Sequence, residues 1–196
     1  MVAYEELYED VKKLVSEKRF NHILGVVERA EEYAKVYNVN LENARIAAVL
    51  HDIAKEIPQE QSYKMLSEYG VELDETEKKN FNLVHSKLGA AFAKYKYGLS
   101  DDIVNAICYH TTGRANMSML EKIIYLADAT EKGRAYIGKL NMLTLDEVVN
   151  LVKKDIIAGL NYILNYTLNS LLNRGLYIHI NTVEAYNYYL NNNIVK

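Results

Sequence analysis

A histidine and an aspartate stand side by side, His51-Asp52, after the apolar run Ala44-Arg45-Ile46-Ala47-Ala48-Val49-Leu50. The segment is rich in helix formers and free of glycine and proline until Pro58, so it reads as a buried helix from Leu41 to Lys55. An ionised carboxylate in such a setting loses its hydration at a cost of several kcal/mol unless something positive meets it. Successive helical side chains lie about 100° apart, so the two side chains straddle one line and can converge on a single ion. Whatever fold the chain adopts must therefore bring a cation to this point, which a purely apolar core does not do.

Other inward-facing polar residues offer themselves as partners. Of the five histidines, three more have apolar neighbours at helical spacing: His22 with Val26 and Tyr33, His85 with Leu88 and Phe92, and His110 with Ile103, Ala106 and Ile107. Asp128 shares a face with Leu120 and Ile124. Taken singly, each histidine is more commonly a core imidazole bonded to a backbone carbonyl, and Asp128 a cap or half of an ion pair. Taken together, four histidines and two aspartates on separate helices would need six independent satisfactions, whereas a metal centre satisfies them at once. Imidazole and carboxylate without thiolate suit iron, manganese, cobalt or zinc better than calcium, and spacing does not choose among them. The single cysteine, Cys108, excludes an intramolecular disulfide and a cysteine-based zinc knuckle, and reads as a small buried hydrophobe.

Helical periodicity dominates, with one proline and nine glycines among 196 residues, so the fold is expected to be all-α. Helices are expected over Tyr4 to Ser16, Arg19 to Tyr37, Leu41 to Lys55, Gln59 to Tyr69, Val84 to Tyr97, Ser100 to His110, Met117 to Thr130 and Leu145 to Asn173. A short connector from Leu176 to Ile180 then meets Asn181-Thr182-Val183-Glu184, which has the form of a capping box. His179 in that connector reads as structural. The tyrosine- and asparagine-rich tail keeps apolar periodicity through Leu160, Ile163, Leu164 and Leu171; its tyrosines serve either the core or the face of a homodimer. We expect one domain over residues 1–196, with a metal-site core at about 19–131 and C-terminal helices at about 144–196 packed on it. The 23 basic and 26 acidic residues give a formal charge of −3, which disfavours a nucleic-acid partner. No run reaches the length of a membrane span and the acidic N-terminus lacks a signal-peptide pattern, so no membrane partner and a cytoplasmic location are the expectation.

The ordered set His22, His51-Asp52, Asp128 resembles the HD superfamily of metal-dependent phosphohydrolases, and His85 and His110 fit its two-metal subset. The wording around these residues is more specific: Lys18-Arg19-Phe20-Asn21-His22-Ile23-Leu24-Gly25, His51-Asp52-Ile53-Ala54-Lys55, Val84-His85-Ser86-Lys87-Leu88-Gly89, His110-Thr111-Thr112-Gly113-Arg114 and Ala127-Asp128-Ala129-Thr130-Glu131. The combination is similar to the YqeK family of symmetrical diadenosine tetraphosphate hydrolases. It extends over nearly the whole chain, including Ile178 to Asn187, where Ile180 stands in place of an expected proline. The resemblance implies an HD-domain helical bundle, cleavage of diadenosine tetraphosphate into two ADP, an iron centre in which manganese can substitute, and a purine nucleotide as partner.

On that reading His22, His51, Asp52 and Asp128 surround one ion, His85 and His110 complete a second, and Asp52 bridges them and is essential to catalysis, the attacking group being a metal-activated water. Lys55, three residues after Asp52 and four after His51, is expected on the same helical side, binding phosphate or protonating the leaving group. Arg19 and Arg114 are candidates to clamp phosphate, and Thr111, Thr112 and Gly113 to donate to it. Glu131 and Arg134 read either as parts of the site or as an ion pair. The competing functions are another HD-type nucleotidase or phosphodiesterase, a purine-nucleotide sensor with a slow site, and a metal-free helical interaction module.

Overall fold

Each buried face among the helices continues into its neighbour's, so one apolar cluster runs from Leu7 and Val11 near the N-terminus to Ala185 and Tyr189 in the tail. The computed structural model describes residues 2–134 and 143–194; residues 195–196 of the expected tail lie outside them. All regular structure among these residues is helical: α1 (Tyr4–Leu14), α2 (Glu17–Val36), α3 (Leu41–Leu50), α4 (Gln59–Glu68), α5 (Glu75–Lys79), α6 (Val84–Ala91), α7 (Asp101–Cys108), α8 (Met119–Thr130), α9 (Leu145–Lys154), α10 (Ile156–Asn173) and α11 (Ile180–Ile194). The fold is all-α, as periodicity requires.

Helix α2 lies at the centre, packed on both α3 and α8, while α7 joins α6 to α8 and also touches α3. The long α2 starts at Ser16, whose hydroxyl accepts from Arg19 N. Its Arg29 is buried and donates from Nε to the carbonyl of Thr130 at 3.0 Å, and the Tyr33 hydroxyl lies 2.8 Å from Thr130 Oγ1. The C-terminal end of α8, carrying Asp128, is thereby fastened to the helix that carries His22. At the other edge α10 packs on α8, α9 and α11, and the buried Tyr189 accepts from Met117 N at 2.6 Å.

Several expected boundaries move. The helix containing His51 ends at Leu50, and residues 51–56 form successive turns, with Ile53 N bonded to Leu50 O and Lys55 N to Asp52 O. The cause is local: His51 Nδ1 donates to Ala48 O at 2.7 Å, using a carbonyl that the α-helical ladder would otherwise claim. His51 and Asp52 thus project from a helix end, and the shared-helix-face argument for Lys55 does not apply. The expected 84–97 helix gives way to a wider π turn over Phe92–Lys96. The expected 145–173 helix breaks at Asp155, whose carboxylate caps α10 by accepting from Ile157 N and Ala158 N. Helix α5 and the short turn at Phe81–Leu83 were not anticipated. The tail helix begins at Ile180, one residue before the expected box, because the His179 ring accepts Asn181 N at 3.1 Å while His179 Nε2 donates to Asp74 at 2.6 Å. Leu171 is half-buried and not core.

Candidate metal centre

Four histidines and two aspartates from five segments meet in one place. His22 comes from the second turn of α2, His51 and Asp52 from the turn after α3, His85 from the first turn of α6, His110 from the turn after α7, and Asp128 from the last turns of α8. His51, Asp52, His85 and His110 are buried; His22 and Asp128 are partly so.

Distances divide the cluster about Asp52. Its Oδ2 lies 3.6 Å from His22 Nε2 and 3.5 Å from His51 Nε2, while Oδ1 lies 3.1 Å from His85 Nε2 and 3.7 Å from His110 Nε2. On the Oδ2 side, Asp128 Oδ1 stands 3.1 Å from His22 Nε2 and 3.9 Å from His51 Nε2. On the other, His85 Nε2 and His110 Nε2 are 3.1 Å apart, and Thr111 Oγ1 is 3.1 Å from the latter. Among the described residues, His22, His51 and Asp128 form one set with ion-binding spacing, and His51, Asp52 and His110 another.

The orientation of the rings matters more than their proximity. His51, His85 and His110 each direct Nδ1 to the carbonyl three residues earlier, Ala48, Asn82 and Ile107, at 2.7 Å in every case. A carbonyl only accepts, so the proton sits on Nδ1 and the Nε2 lone pair faces the cluster. His22 does the same with a side chain, its Nδ1 lying 3.2 Å from Glu131 Oε1. Nε2 of both His22 and His51 is buried without a hydrogen-bond partner. Unpartnered buried nitrogens facing two carboxylates are what a cation would satisfy, so the residues fit a divalent metal.

Burial by itself would raise the carboxyls of Asp52 and Asp128. For Asp52 it is outweighed by His51, His110 and His85, and for Asp128 by His22, Arg134 and His51, so both stay below the usual carboxylate range. Burial disfavours the His51 imidazolium, yet Asp52 and Asp128 overcome it and raise that group. His85 goes the other way: burial pushes it down to about 4, with Lys55 and His110 adding to the shift against Asp52. His51 and His85 thus shift in opposite directions although both are buried.

Basic side chains rim the cluster. Arg19 Nη1 donates to Asp52 Oδ2 at 2.9 Å, Arg134 pairs with Asp128 through Nη2 and with its backbone carbonyl through Nε, and Lys55 Nζ lies 3.3 Å from His85 Nδ1. Burial lowers the Lys55 ammonium, and Arg19 and Arg134 assist against Asp52 and Asp128. Beside His22 opens a cleft of about 720 Å³ lined by Lys18, Arg19, Lys132 and Arg134 and by Glu28, Glu56 and Glu131. A larger groove of about 830 Å³ runs along α4 past Tyr63, Leu66 and Val71, but none of the six cluster residues lines it.

Some expected substrate contacts lie elsewhere. Arg114 is engaged by the buried Glu121, donating from Nε at 2.6 Å and Nη2 at 2.8 Å, with its guanidinium over the Tyr109 ring. Glu121 belongs to the capping box that starts α8, so this arginine secures the start of a helix. Thr112 Oγ1 donates to Gly113 O, and Thr112 O accepts from Thr182 Oγ1, which ties the turn to α11; Gly113, at φ +63°, is packed toward Ala185. Thr111 alone of that run reaches the histidines. Burial pushes the Cys108 thiol up to about 11, which removes it as a nucleophile. Of the two readings open for Glu131 and Arg134, the structure places both side chains against the cluster, Glu131 on His22 and Arg134 on Asp128. The available signal is a glutamate three residues after the inward aspartate, in Asp128-Ala129-Thr130-Glu131.

The family model described as "HD domain" matches residues 19–133. Among curated proteins, "Bis(5'-nucleosyl)-tetraphosphatase, symmetrical" of Halalkalibacterium halodurans is 33% identical, covering 90% of this chain and 91% of that protein. The protein of the same description from Bacillus subtilis is also 33% identical, covering 94% and 96%. A crystal structure from Clostridium acetobutylicum, described as a predicted HD superfamily hydrolase involved in NAD metabolism, superposes with a TM-score of 0.90 at 37% identity, covering 98% of this chain and 99% of that one.

Proposed function

The chain belongs to the HD-domain family, and from that premise we propose that it is a metal-dependent phosphoric anhydride hydrolase that cleaves diadenosine tetraphosphate symmetrically into two ADP. The observation that carries the reading is the division of the cluster about Asp52, whose two oxygens face separate pairs of lone-pair-bearing imidazoles. His22, His51, Asp52 and Asp128 would hold one divalent ion, and His85 and His110 with Asp52 a second; iron is our choice, with manganese as substitute. When bound, such ions polarise phosphoryl oxygens and make a water nucleophilic near neutral pH.

The residues account for the rest of the chemistry. Arg19, Arg134 and Lys55 surround the cluster with positive charge, which suits four consecutive phosphates. Water attacks a phosphorus next to the central bridging oxygen, the new P–O bond forms as the bridge breaks, and the departing ADP oxygen needs a proton or a cation. Lys55, with its lowered pKa, is suited to supply either. The cleft of mixed charge beside His22, with Lys18, Arg19 and Arg134 on its wall, is where we place one nucleotide half. We treat residues 1–196 as one domain; the exposed Leu176, Tyr177 and Tyr188 offer surface for a homodimer.

A second reading of the His85–His110 half comes from Lys55, whose ammonium next to His85 would repel a second dication. In that case the two imidazoles and Lys55 meet phosphate oxygens and one ion suffices. The deciding experiment is hydrolysis of diadenosine tetraphosphate by protein purified without chelator, with metal counted per chain, beside Asp52→Ala. ADP as sole product, lost in the variant, is expected; ATP plus AMP would reject symmetrical cleavage, and no turnover by metal-loaded protein would move the reading to another phosphoester or a sensor. One ion per active chain selects the second reading of the histidine pair.

A further inference from the structure

We propose that Glu131 is the positioning residue of the metal centre, fixing His22 through Nδ1 from a cradle formed by Gly25 and Gly133 and thereby setting the affinity of the His22–His51–Asp128 half for a divalent ion. The inference rests on reading the cluster as a metal centre. His51, His85 and His110 are oriented by backbone carbonyls close in sequence; His22 is oriented by a carboxylate 109 residues away. That carboxylate is buried and both its oxygens are assigned, Oε1 to His22 and Oε2 to Gly133 N at 2.6 Å. Swinging away would therefore break both bonds at once.

The room for it is made by missing side chains. A β-carbon at Gly25 would stand 2.8 Å from Glu131 Oε2, and one at Gly133 would stand 2.7 Å from Oε1. Gly25 lies inside α2, where glycine weakens a helix, so the close approach of the carboxylate gives it a reason to be there. A carboxylate behind a ligating imidazole fixes its tautomer and ring plane and makes Nε2 a stronger donor than a carbonyl partner does. Glu131 contacts neither cluster carboxylate and reaches the ion only through His22, so it positions and does not react.

Mn²⁺ titration of the metal-free protein, together with the visible spectrum of the Co²⁺ form and the metal-free unfolding midpoint, tests this in Glu131→Ala, Glu131→Gln, Gly25→Ala and the Gly25→Ala/Glu131→Ala double variant. Glu131→Ala should weaken the tightest Mn²⁺ site about 10- to 100-fold and alter the Co²⁺ bands. Glu131→Gln, which keeps an acceptor for Nδ1, should recover part of both. Gly25→Ala should weaken Mn²⁺ binding when Glu131 is present and have no effect when it is absent, since its only route to the ion is the displaced carboxylate. Wild-type affinity in Glu131→Ala, or an equal loss from Gly25→Ala in both backgrounds, overturns the proposal while leaving the metal reading intact. A wild-type chain that binds no Mn²⁺ overturns both.

Discussion

The carbonyls of Ala48, Asn82 and Ile107 do as much for the site as the histidines that bond to them. Each holds a proton on Nδ1 and so leaves a lone pair on Nε2 facing Asp52. Lys55 enters this arrangement from the turn after α3 and touches the edge of the His85 ring without taking a carboxylate oxygen. Its role is separable from metal holding. Lys55→Met keeps the buried alkyl stem and removes the amine, so we expect metal content to stay at the wild-type level while turnover of diadenosine tetraphosphate falls about 10²- to 10⁴-fold, the range for loss of a proton donor. Metal analysis beside steady-state rates checks this, and a fall in metal content in step with activity would make Lys55 part of the ion's support instead.

Helices meet closely where a side chain is missing, and α9 against α10 is the tightest case. A β-carbon at Gly159 would lie 2.5 Å from Val152 Cγ2 and 3.0 Å from the Val152 backbone, so Gly159→Ala should destabilise the protein by about 1–3 kcal/mol despite alanine's better helix propensity. Denaturant unfolding reads that loss, and a gain in stability would show that the two helices separate at little cost. The tail is held by a different device: Asp74 caps α5 through Oδ1 and receives His179 through Oδ2. Burial works to raise the Asp74 carboxyl, but the amide of Glu77 and the His179 ring bring it below its usual value. A depressed folded pKa gives stability that is present above the unfolded value near 3.8 and lost as pH falls through the folded one. Asp74→Asn keeps a capping oxygen and removes the charge, so its cost at pH 7, at most about 1 kcal/mol at this exposed position, should begin to shrink near the unfolded value of 3.8 and vanish only once the pH is below the depressed folded pKa, as unfolding curves of the two chains across acid pH would show. Helix existence was legible from apolar spacing, as in Val26, Ala30 and Tyr33 of α2, whereas the ends were set by single side chains bonding the backbone beside them, which the spacing does not contain. Asp155 reads as an unremarkable helical residue until it caps α10, and His179 takes the capping place that Asn181 and Glu184 advertised.

At the scale of the molecule, candidate ligands spread from residue 22 to residue 128 converge because α2 packs on α3 and α8 while α7 spans α6 and α3. The ligand types were legible because inward histidine and aspartate on apolar faces are costly in isolation. Their supports were less so: Glu131 and Arg134 stand close after Asp128 with two readings open, Gly25 carries no signal of its own, and Arg114 carries the same residue type as Arg19 yet serves the start of α8. A site assembled from so many elements couples metal to the whole fold. Without an ion, two carboxylates and the unpartnered Nε2 atoms of His22 and His51 stay desolvated together at the junction of the helices. An ion that binds the folded chain and not the unfolded one stabilises it by about 2.7 kcal/mol at a hundred times its dissociation constant. In a chain of this size that corresponds to a rise in melting temperature of about 5–10 °C. Chelation followed by dialysis should therefore lower the melting temperature by that order, Mn²⁺ or Fe²⁺ should restore it, and Ca²⁺ should not, because a nitrogen-rich donor set suits it poorly. Asp52→Ala should respond weakly to either treatment, having lost the oxygens that both halves of the cluster share. A melting temperature indifferent to chelator in the wild-type chain would mean that the imidazoles and carboxylates satisfy one another, with Arg19, Arg134 and Lys55 as cationic support.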